Sequence, residues 1–186
     1  MAWTNDWQMN FNSEKCKVLH LGKNNPKHVY NMDGNPLMED IVEKNLGIYV
    51  DNDLKFDTHI SETVKKGNKL VGMISHYITH KSKDIMIPLY KSLIRPILEY
   101  GNVVWSPKLR KHIDLIEGVQ RRYTKRIIGA GDLSYEERLE LFDLPSLEHR
   151  RFRAGMIKTY KMTHKLSDYN SCFATIYLTK IHNMRT

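Results

Sequence analysis

A chain of 186 residues with a formal net charge of +8 and two cysteines, Cys16 and Cys172, is long enough to bury one core and a second small lobe. The low cysteine content excludes a disulfide-stapled scaffold. No stretch approaches the roughly 20 apolar residues that span a bilayer, and the first residues lack a secretory signal. We therefore expect a soluble intracellular protein, in the nucleus or the cytoplasm, with no membrane partner.

The charge is unevenly distributed along the chain. Residues 1–57 hold six Lys/Arg and nine Asp/Glu, a net charge of −3, whereas residues 58–186 hold 23 and 12, a net charge of +11. Clustered cations attract polyanions such as nucleic acids and release their counterions, but a basic helix surface can also be simply solvated. Charge alone leaves both interpretations open.

Short runs separated by turns predict a small β region over residues 1–57. Residues 15–22 alternate apolar and polar side chains, and residues 46–50 are β-branched and aromatic. Asp33-Gly34 suits a tight hairpin turn because glycine accepts positive φ. Asp51 and Asp53 follow in a turn. Two carboxylates so placed can hold a metal, but turn aspartates more often bond their own backbone, which we favour here.

From Thr58 onward the apolar period lengthens from two residues to between three and four, which predicts helices. Three successive core faces are predicted: Ile60, Val64, Gly67, Val71, Ile74 and Ile78; Ile85, Leu89, Leu93, Ile97, Tyr100 and Val104; and Leu109, Ile113, Ile116, Val119, Tyr123 and Ile127. We expect Pro96 to kink or break the second helix and Ser106-Pro107 to begin the third. Ser134 and Ser146 each predict the cap of a further helix.

These elements predict an α+β fold that is mainly α. A small antiparallel β region occupies residues 1–57, and a helical bundle follows over residues 58–166. Residues 167–186 show weak periodicity and are expected to form a poorly structured tail.

The predicted third helix carries its cations opposite its apolar face, at about 100° per residue. The candidate nucleic-acid-binding residues are Arg121, Arg122, Lys125 and Arg126 on that helix, and Arg150 and Arg151 on the last helix. Such residues can lie along the phosphates of an RNA–DNA or DNA duplex. Alternatively, Arg122 and Arg126 can pair with acids such as Asp114 or Glu117.

Other residue clusters predict no further chemistry. His76 and His80 lie four residues apart, as do Cys16 and His20, but neither pair is joined by a second pair as a zinc site requires. Tyr100 and Trp105 are suited either to stacking on bases or to a core, and their apolar helix face favours the core.

Several short blocks follow one another in a specific order and spacing. They are Phe11-Asn12 with Lys15-Cys16; Leu46-Gly47 with Asp51, Leu54, His59 and Ile60; Leu89-Tyr90, Leu93, Arg95-Pro96, Leu98-Glu99-Tyr100-Gly101 and Val104-Trp105; Glu117, Val119-Gln120-Arg121-Arg122, Ile127 and Gly129; and Tyr135, Glu137-Arg138-Leu139, Leu144, Ser146-Leu147-Glu148 and Arg150-Arg151. From Trp7 to about Lys161, the sequence thereby resembles the C-terminal part of the reverse transcriptase of non-LTR retrotransposons, the long interspersed elements of the jockey-like kind.

The resemblance implies a palm remnant over residues 1–57, with a primer-grip-like hairpin at residues 46–56, and a helical thumb over residues 58–166. It also implies that Lys15 is the late-palm lysine that assists the leaving pyrophosphate as a general acid. The aromatic-Ala-Asp-Asp motif that holds both Mg²⁺ ions in that family is absent, and the sequence contains no Asp-Asp pair. The resemblance therefore assigns no metal, no cofactor and no catalytic residue beyond Lys15 to this chain.

We therefore expect a truncated protein, derived from an RNA-directed DNA polymerase, that binds template–primer nucleic acid non-specifically and has no polymerase activity by itself. The alternative is a protein-interaction or structural helical module derived from a transposon. Trp3, Trp7 and the strand edges of an incomplete palm would favour such contacts, including self-association.

Overall fold

The computed structural model describes residue 7 and residues 12–22, 24–32 and 34–166. The chain divides into two compact units, Met1–His59 and Ile60–Thr186. Short strands precede a run of helices, which confirms the predicted α+β, mainly α fold. The predicted tail of residues 167–186 and the side chain of Trp3 lie outside the described residues.

The first unit contains short strands that associate in pairs. β1 (Lys17–Leu19) is parallel to β4 (Met38–Asp40), β2 (Asn31–Met32) is antiparallel to β3 (Asn35–Pro36), and β5 (Val42–Asn45) is antiparallel to β6 (Ile48–Asp51). The parallel pair departs from the predicted antiparallel arrangement. Alternation within a strand shows which residues share a face, but it carries no information about the direction of a partner far along the chain.

Tight turns close the two antiparallel pairs. Met32 pairs with Asn35, and Gly34 has a φ of 79° between them, which confirms a hairpin at this position. Leu46 and Gly47 both have positive φ, of 47° and 84°, between β5 and β6. The prediction of a strand over residues 46–50 is therefore wrong at its first two residues, because Leu46 adopts a turn conformation that a bulky residue rarely takes.

The long helix α1 (Asp57–Tyr77) buries the face that the sequence predicts. Ile60, Val71 and Ile74 are almost fully buried, and Gly67 lies on the same side. A Cβ atom at Gly67 would stand 3.0 Å from Leu98 Cδ2 and 3.2 Å from a Val119 methyl group. Glycine at this position therefore permits the close approach of the neighbouring helices.

The second helical segment continues past Pro96 instead of ending there. It consists of α2 (Lys83–Leu89), a π-helical turn (Tyr90–Ile94) and α3 (Arg95–Glu99). The N–H of Arg95 donates to the carbonyl of Tyr90, five residues back. Because Pro96 has no N–H to donate to the preceding α-helical turn, the wider π turn accommodates it without ending the helix.

The buried side of this segment is displaced by one residue from the predicted stripe. The fully buried residues are Met86, Tyr90, Ile94 and Leu98, and Ile87 is 7% exposed. The predicted Ile85 and Leu93 are instead 41% and 42% exposed. A π turn holds more residues than an α turn, and this keeps residues four apart nearly in line. The prediction of the Ile85 to Val104 stripe as the core face is therefore wrong in phase.

Two aromatic residues flank the start and form the end of the short helix α4 (Asn102–Trp105): Tyr100 precedes it, and Trp105 is its last residue. Trp105 is fully buried and donates its Nε1–H to the carbonyl of Tyr100 at 2.7 Å. Tyr100 itself is 56% exposed. The assignment of Trp105 to the core is confirmed, and that of Tyr100 is wrong because Tyr100 lies at the turn that ends α3.

The last three helices are α5 (Arg110–Thr124), α6 (Tyr135–Phe142) and α7 (Leu147–Thr163). Ser106 does not cap α5, which begins after Leu109 without a side-chain cap. The side chains of Ser134 and Ser146 do accept the expected hydrogen bonds from the first turns of α6 and α7, and Ser134 forms a complete capping box with Glu137. These two caps are confirmed.

Candidate nucleic-acid interface

Four cations lie at the C-terminal end of α5 and in the turn that follows it, next to buried residues of the core face. Val119 and Tyr123 are fully buried, as is Ile116 one turn earlier. The exposed residues that form what we call the basic cluster are Arg121, Arg122, Lys125 and Arg126. All four cations are therefore exposed within six consecutive residues.

Two members of the basic cluster are fixed to α1 by neutral acceptors. Arg122 Nη2 donates to Asn68 Oδ1 at 2.7 Å. Arg126 Nη1 donates to the carbonyl of Val71 at 3.3 Å and to the hydroxyl of Ser75. These contacts hold each guanidinium in place without cancelling its charge, because amide, hydroxyl and carbonyl oxygens carry no formal charge.

The other two members differ in their contacts. The guanidinium of Arg121 lies 4.9 Å from the ring centre of Tyr135, a cation–π contact. The side chain of Lys125 makes no hydrogen bond or ion pair with the residues that the structure describes. The alternative pairing of Arg122 or Arg126 with Asp114 is not observed, since Asp114 instead pairs with Arg110 at 3.2 Å.

Two exposed lysines of α1 are close in sequence to Asn68, the partner of Arg122. At about 100° per residue, Lys65 and Lys69 lie roughly 60° and 100° around the helix from Asn68. Both lysines are exposed, and Lys65 also pairs with Glu62 at 2.7 Å. We call the four members of the basic cluster together with Lys65 and Lys69 the basic surface.

Unlike the exposed basic cluster, Arg150 is held in an ion pair and Arg151 is buried. Arg150 forms a two-pronged pair with Glu99, with Nη2 2.9 Å from Oε2, and this pair raises the pKa of Arg150. Arg151 is only 6% exposed, and its burial lowers the pKa of its guanidinium. A half-buried ion pair and a buried guanidinium are poorly disposed to lie along a duplex.

A chain of buried polar side chains connects α5 with α6 and with the π turn. The hydroxyl of Tyr90 donates to Gln120 Oε1, and Gln120 Nε2 donates to the hydroxyl of Tyr135 at 3.0 Å and to the carbonyl of Pro145 at 3.2 Å. Tyr135 in turn donates to Glu117 Oε1. The only sign of this network in the sequence is that the polar residues Gln120 and Glu117 fall among the apolar residues of the core face of α5.

Glu117 ends this chain and also holds the start of α7. Its carboxylate accepts hydrogen bonds from the backbone N–H groups of Leu147 at 3.2 Å and Glu148 at 3.3 Å. Burial, together with the hydrogen bond to Glu117, raises the pKa of Tyr135 far above its ordinary value. The hydroxyl therefore stays protonated and continues to donate to the carboxylate.

The remaining candidates lie in the first unit. Asp51 Oδ1 accepts from the Lys55 N–H at 2.7 Å and its Oδ2 from the Asp57 N–H at 3.2 Å, while Asp53 pairs with the Lys55 ammonium at 2.7 Å. The interpretation that a turn aspartate bonds nearby backbone is confirmed for Asp51, whereas Asp53 is shown in an ion pair with a side chain. Lys15 is exposed at the end of a 3₁₀ turn (Ser13–Lys15), and Phe11 lies outside the described residues.

Neither a metal site nor a membrane span emerges from the described part of the chain. It contains no group of three or more His, Cys, Asp or Glu side chains arranged to hold a metal ion. Within the same residues, no helix combines the length and the apolar character needed to cross a bilayer.

Comparison with known proteins gives three informative matches. The chain is 27% identical over 132 residues to the RNA-directed DNA polymerase from mobile element jockey of Drosophila melanogaster, and 24% identical over 132 residues to a probable RNA-directed DNA polymerase from transposon X-element of the same organism. These matches cover 69% and 68% of the chain. A Caenorhabditis elegans protein described as uncharacterized is 25% identical over 118 residues, 62% of the chain.

The matched region is a small part of the two polymerases. It covers 14% of the length of each of them, and 59% of the length of the Caenorhabditis elegans protein. No protein-family model matches the chain, and no solved structure matches it.

Proposed function

We propose that this chain, which carries a region derived from the reverse transcriptase of a non-LTR retrotransposon, binds template–primer nucleic acid through its basic surface. The observation that carries the proposal is the exposure of Arg121, Arg122, Lys125 and Arg126 at the C-terminal end of α5 and in the turn that follows it. The ligand is an RNA–DNA or DNA duplex, held by contacts to its phosphates and without sequence preference.

The contacts of the two anchored arginines support this proposal. An arginine that is paired with a carboxylate would lose most of its attraction for a phosphate. Arg122 and Arg126 instead donate to neutral oxygens of α1. A guanidinium has five N–H donors, so each arginine keeps donors and its full charge for a phosphate oxygen.

We further propose that the chain by itself does not polymerise DNA. Two-metal phosphoryl transfer requires carboxylates that hold two divalent cations close together. The sequence has no Asp-Asp pair, and Asp51 and Asp53 are engaged in a turn. Primer extension with purified protein, a template–primer duplex and Mg²⁺ should give no product. Template-dependent extension would contradict this part of the proposal and leave duplex binding untouched.

Duplex binding is tested by fluorescence anisotropy over a series of salt concentrations. The variant R121A/R122A/K125A/R126A should bind an RNA–DNA duplex more weakly, and the slope of log affinity against log salt should fall by about three to four. Removing each cation singly should lower the slope by about one. A slope equal to that of the unmodified protein would refute the assignment of the basic surface.

A matched control separates the position of a charge from its number. Lys111 and Lys125 are both exposed lysines, Lys111 in the first turn of α5 and Lys125 directly after its last residue. Lys125→Ala should weaken duplex binding, whereas Lys111→Ala should leave the affinity close to that of the unmodified protein. Equal losses in the two variants would indicate non-specific attraction to the net charge.

Exposed apolar side chains of the first unit support a second candidate function, protein interaction. Val29, Met38 and Ile41 are 70–74% exposed. Apolar groups this exposed are often covered by a partner or by a second copy of a chain. Size-exclusion chromatography with and without duplex distinguishes the two functions, since a nucleic-acid-binding protein changes its elution with duplex and an interaction module associates without it.

A further inference from the structure

A cavity of about 400 Å³ lies between the start of α7 and the segment that joins α4 to α5. Its polar lining consists of Ser106, Lys108, Glu148 and Arg151, and its apolar lining of Pro107, Ile113 and Phe152. A volume of this size is within the range of small-molecule sites, which are mostly apolar with a few polar groups.

The guanidinium of Arg151 is the unusual member of this lining. The residue is 6% exposed, and its two terminal nitrogens, Nη1 and Nη2, have no hydrogen-bond partner among the residues that the structure describes. Buried polar groups are almost always satisfied, and an unsatisfied guanidinium is costly because it has lost its hydration. A buried arginine of this kind therefore requires an anionic partner or a bound water.

Glu117, Glu148 and Glu99 lie near enough to Arg151 to favour its charged form, but none of them accepts a hydrogen bond from its terminal nitrogens. Glu117 accepts from the N–H groups at the start of α7, and Glu99 pairs with Arg150. Glu148, which also lines the cavity, is paired with Arg110 at 3.2 Å. With Lys108 and Arg151 against one Glu148 carboxylate, the cavity lining has a net positive charge.

We infer that this cavity binds a small phosphorylated ligand with an aromatic group, in chemical class a nucleoside monophosphate. The phosphate is held by Arg151 and Lys108, because a guanidinium matches two phosphate oxygens at once. The base lies against Phe152, whose ring is exposed beside the cavity. The terminal nitrogens of Arg151 are themselves covered, so binding involves rotation of this side chain into the cavity that it lines.

This site is separate from the proposed duplex surface and does not depend on it. The two sites share no residue, since the basic surface lies on α1 and the C-terminal end of α5. Adenosine monophosphate, inorganic phosphate, adenosine and benzoate serve as probes, measured by isothermal titration calorimetry on the full chain. Adenosine monophosphate should bind most tightly and phosphate more weakly, and adenosine should not bind.

Arg151→Met is the decisive variant, and Arg153→Met, two residues further along α7 and exposed, is its matched control. Arg151→Met also removes the positive charge that faces the buried Glu117, so circular dichroism of each variant first shows whether the fold is kept, and Phe152→Ala tests the site independently of that charge. Arg151→Met should lower the affinity for adenosine monophosphate by roughly tenfold or more, and Arg153→Met should leave that affinity unchanged. Phe152→Ala should lower the affinity for adenosine monophosphate but not the affinity for inorganic phosphate.

Several outcomes would overturn the inference. They are no binding of adenosine monophosphate at millimolar concentration, equal binding by Arg151→Met and the unmodified protein, and binding of adenosine as tight as that of its monophosphate. Tighter binding of benzoate than of adenosine monophosphate would replace the phosphate by a carboxylate as the preferred group and would also contradict it. Fluorescence anisotropy with an RNA–DNA duplex on the same variants measures duplex binding independently, so a failure of the cavity proposal can be distinguished from a failure of the proposed duplex surface.

Discussion

The carboxylate of Glu117, in the middle of α5, accepts a hydrogen bond from the N–H of Leu147, the first residue of α7, at 3.2 Å. The first N–H groups of a helix have no partner within the helix, so a buried carboxylate there satisfies them and also complements the positive end of the helix dipole. Ser146 satisfies a further N–H of the same turn. A side chain from α5 thus fixes where α7 begins.

Replacing Glu117 tests this arrangement. In Glu117→Gln, the carboxylate becomes an amide with only one acceptor oxygen, while Leu147, Glu148 and Tyr135 all still require an acceptor. We expect the free energy of unfolding in urea to fall by about 1–3 kcal/mol. Glu140→Gln, at an exposed position of α6, should change it by less than about 0.5 kcal/mol. Similar values for the two variants would contradict a specific role for Glu117.

Two glycines of α1 allow a matched test of helix packing. At Gly72 a methyl group would meet no atom within 4 Å, whereas at Gly67 it would lie 3.0 Å from Leu98 and 3.2 Å from Val119. Gly72→Ala should therefore stabilise the protein by about 0.5–1 kcal/mol through helix propensity alone. Gly67→Ala should lose that gain to crowding, and thermal unfolding should show a lower melting temperature than that of Gly72→Ala. The reverse order would mean that α1 and its neighbours separate easily.

Local sequence patterns were sufficient to predict those features of the fold that depend on residues close together in the chain. The capping box of Ser134 and Glu137 spans three residues, and the buried face of α1 repeats every three or four. The buried position of Tyr90 was not predictable in this way. Stripes beginning at Ile85 and at Met86 are both apolar, and a π turn decides between them.

The candidate site shows the same division. The common side of Arg121, Arg122, Lys125 and Arg126 follows from the helical period. Their contacts do not, because Asn68 lies 54 residues from Arg122 along the chain, and only the packing of α5 on α1 brings the two together. Sequence patterns likewise gave no sign that Arg151 is buried while its neighbour Arg150 pairs with Glu99.

Tyr123 predicts a specific loss of stability in alkali. Its hydroxyl donates to the carbonyl of Met86 at 2.8 Å, and burial raises its pKa to about 12. Between pH 10 and about 12 the unfolded chain loses this proton while the folded protein keeps it, so the free energy of unfolding falls as pH rises. In Tyr123→Phe, urea titrations over this range should show a shallower fall, by about 1.4 kcal/mol per pH unit. Equal steepness in the two proteins would contradict this assignment.

Variants of Asn68 and Arg122 distinguish the effect of holding a guanidinium in position from the effect of its charge at the proposed duplex surface. Asn68→Ala removes the acceptor that holds Arg122 but leaves the net charge unchanged. We expect the affinity for an RNA–DNA duplex to fall a few-fold with the salt slope unchanged, because the freed guanidinium must be ordered on binding. Arg122→Ala should instead lower the slope by about one, because one phosphate contact is lost. If Asn68→Ala lowered the slope as much as Arg122→Ala, or if neither variant changed the affinity, Arg122 would not be an oriented phosphate contact.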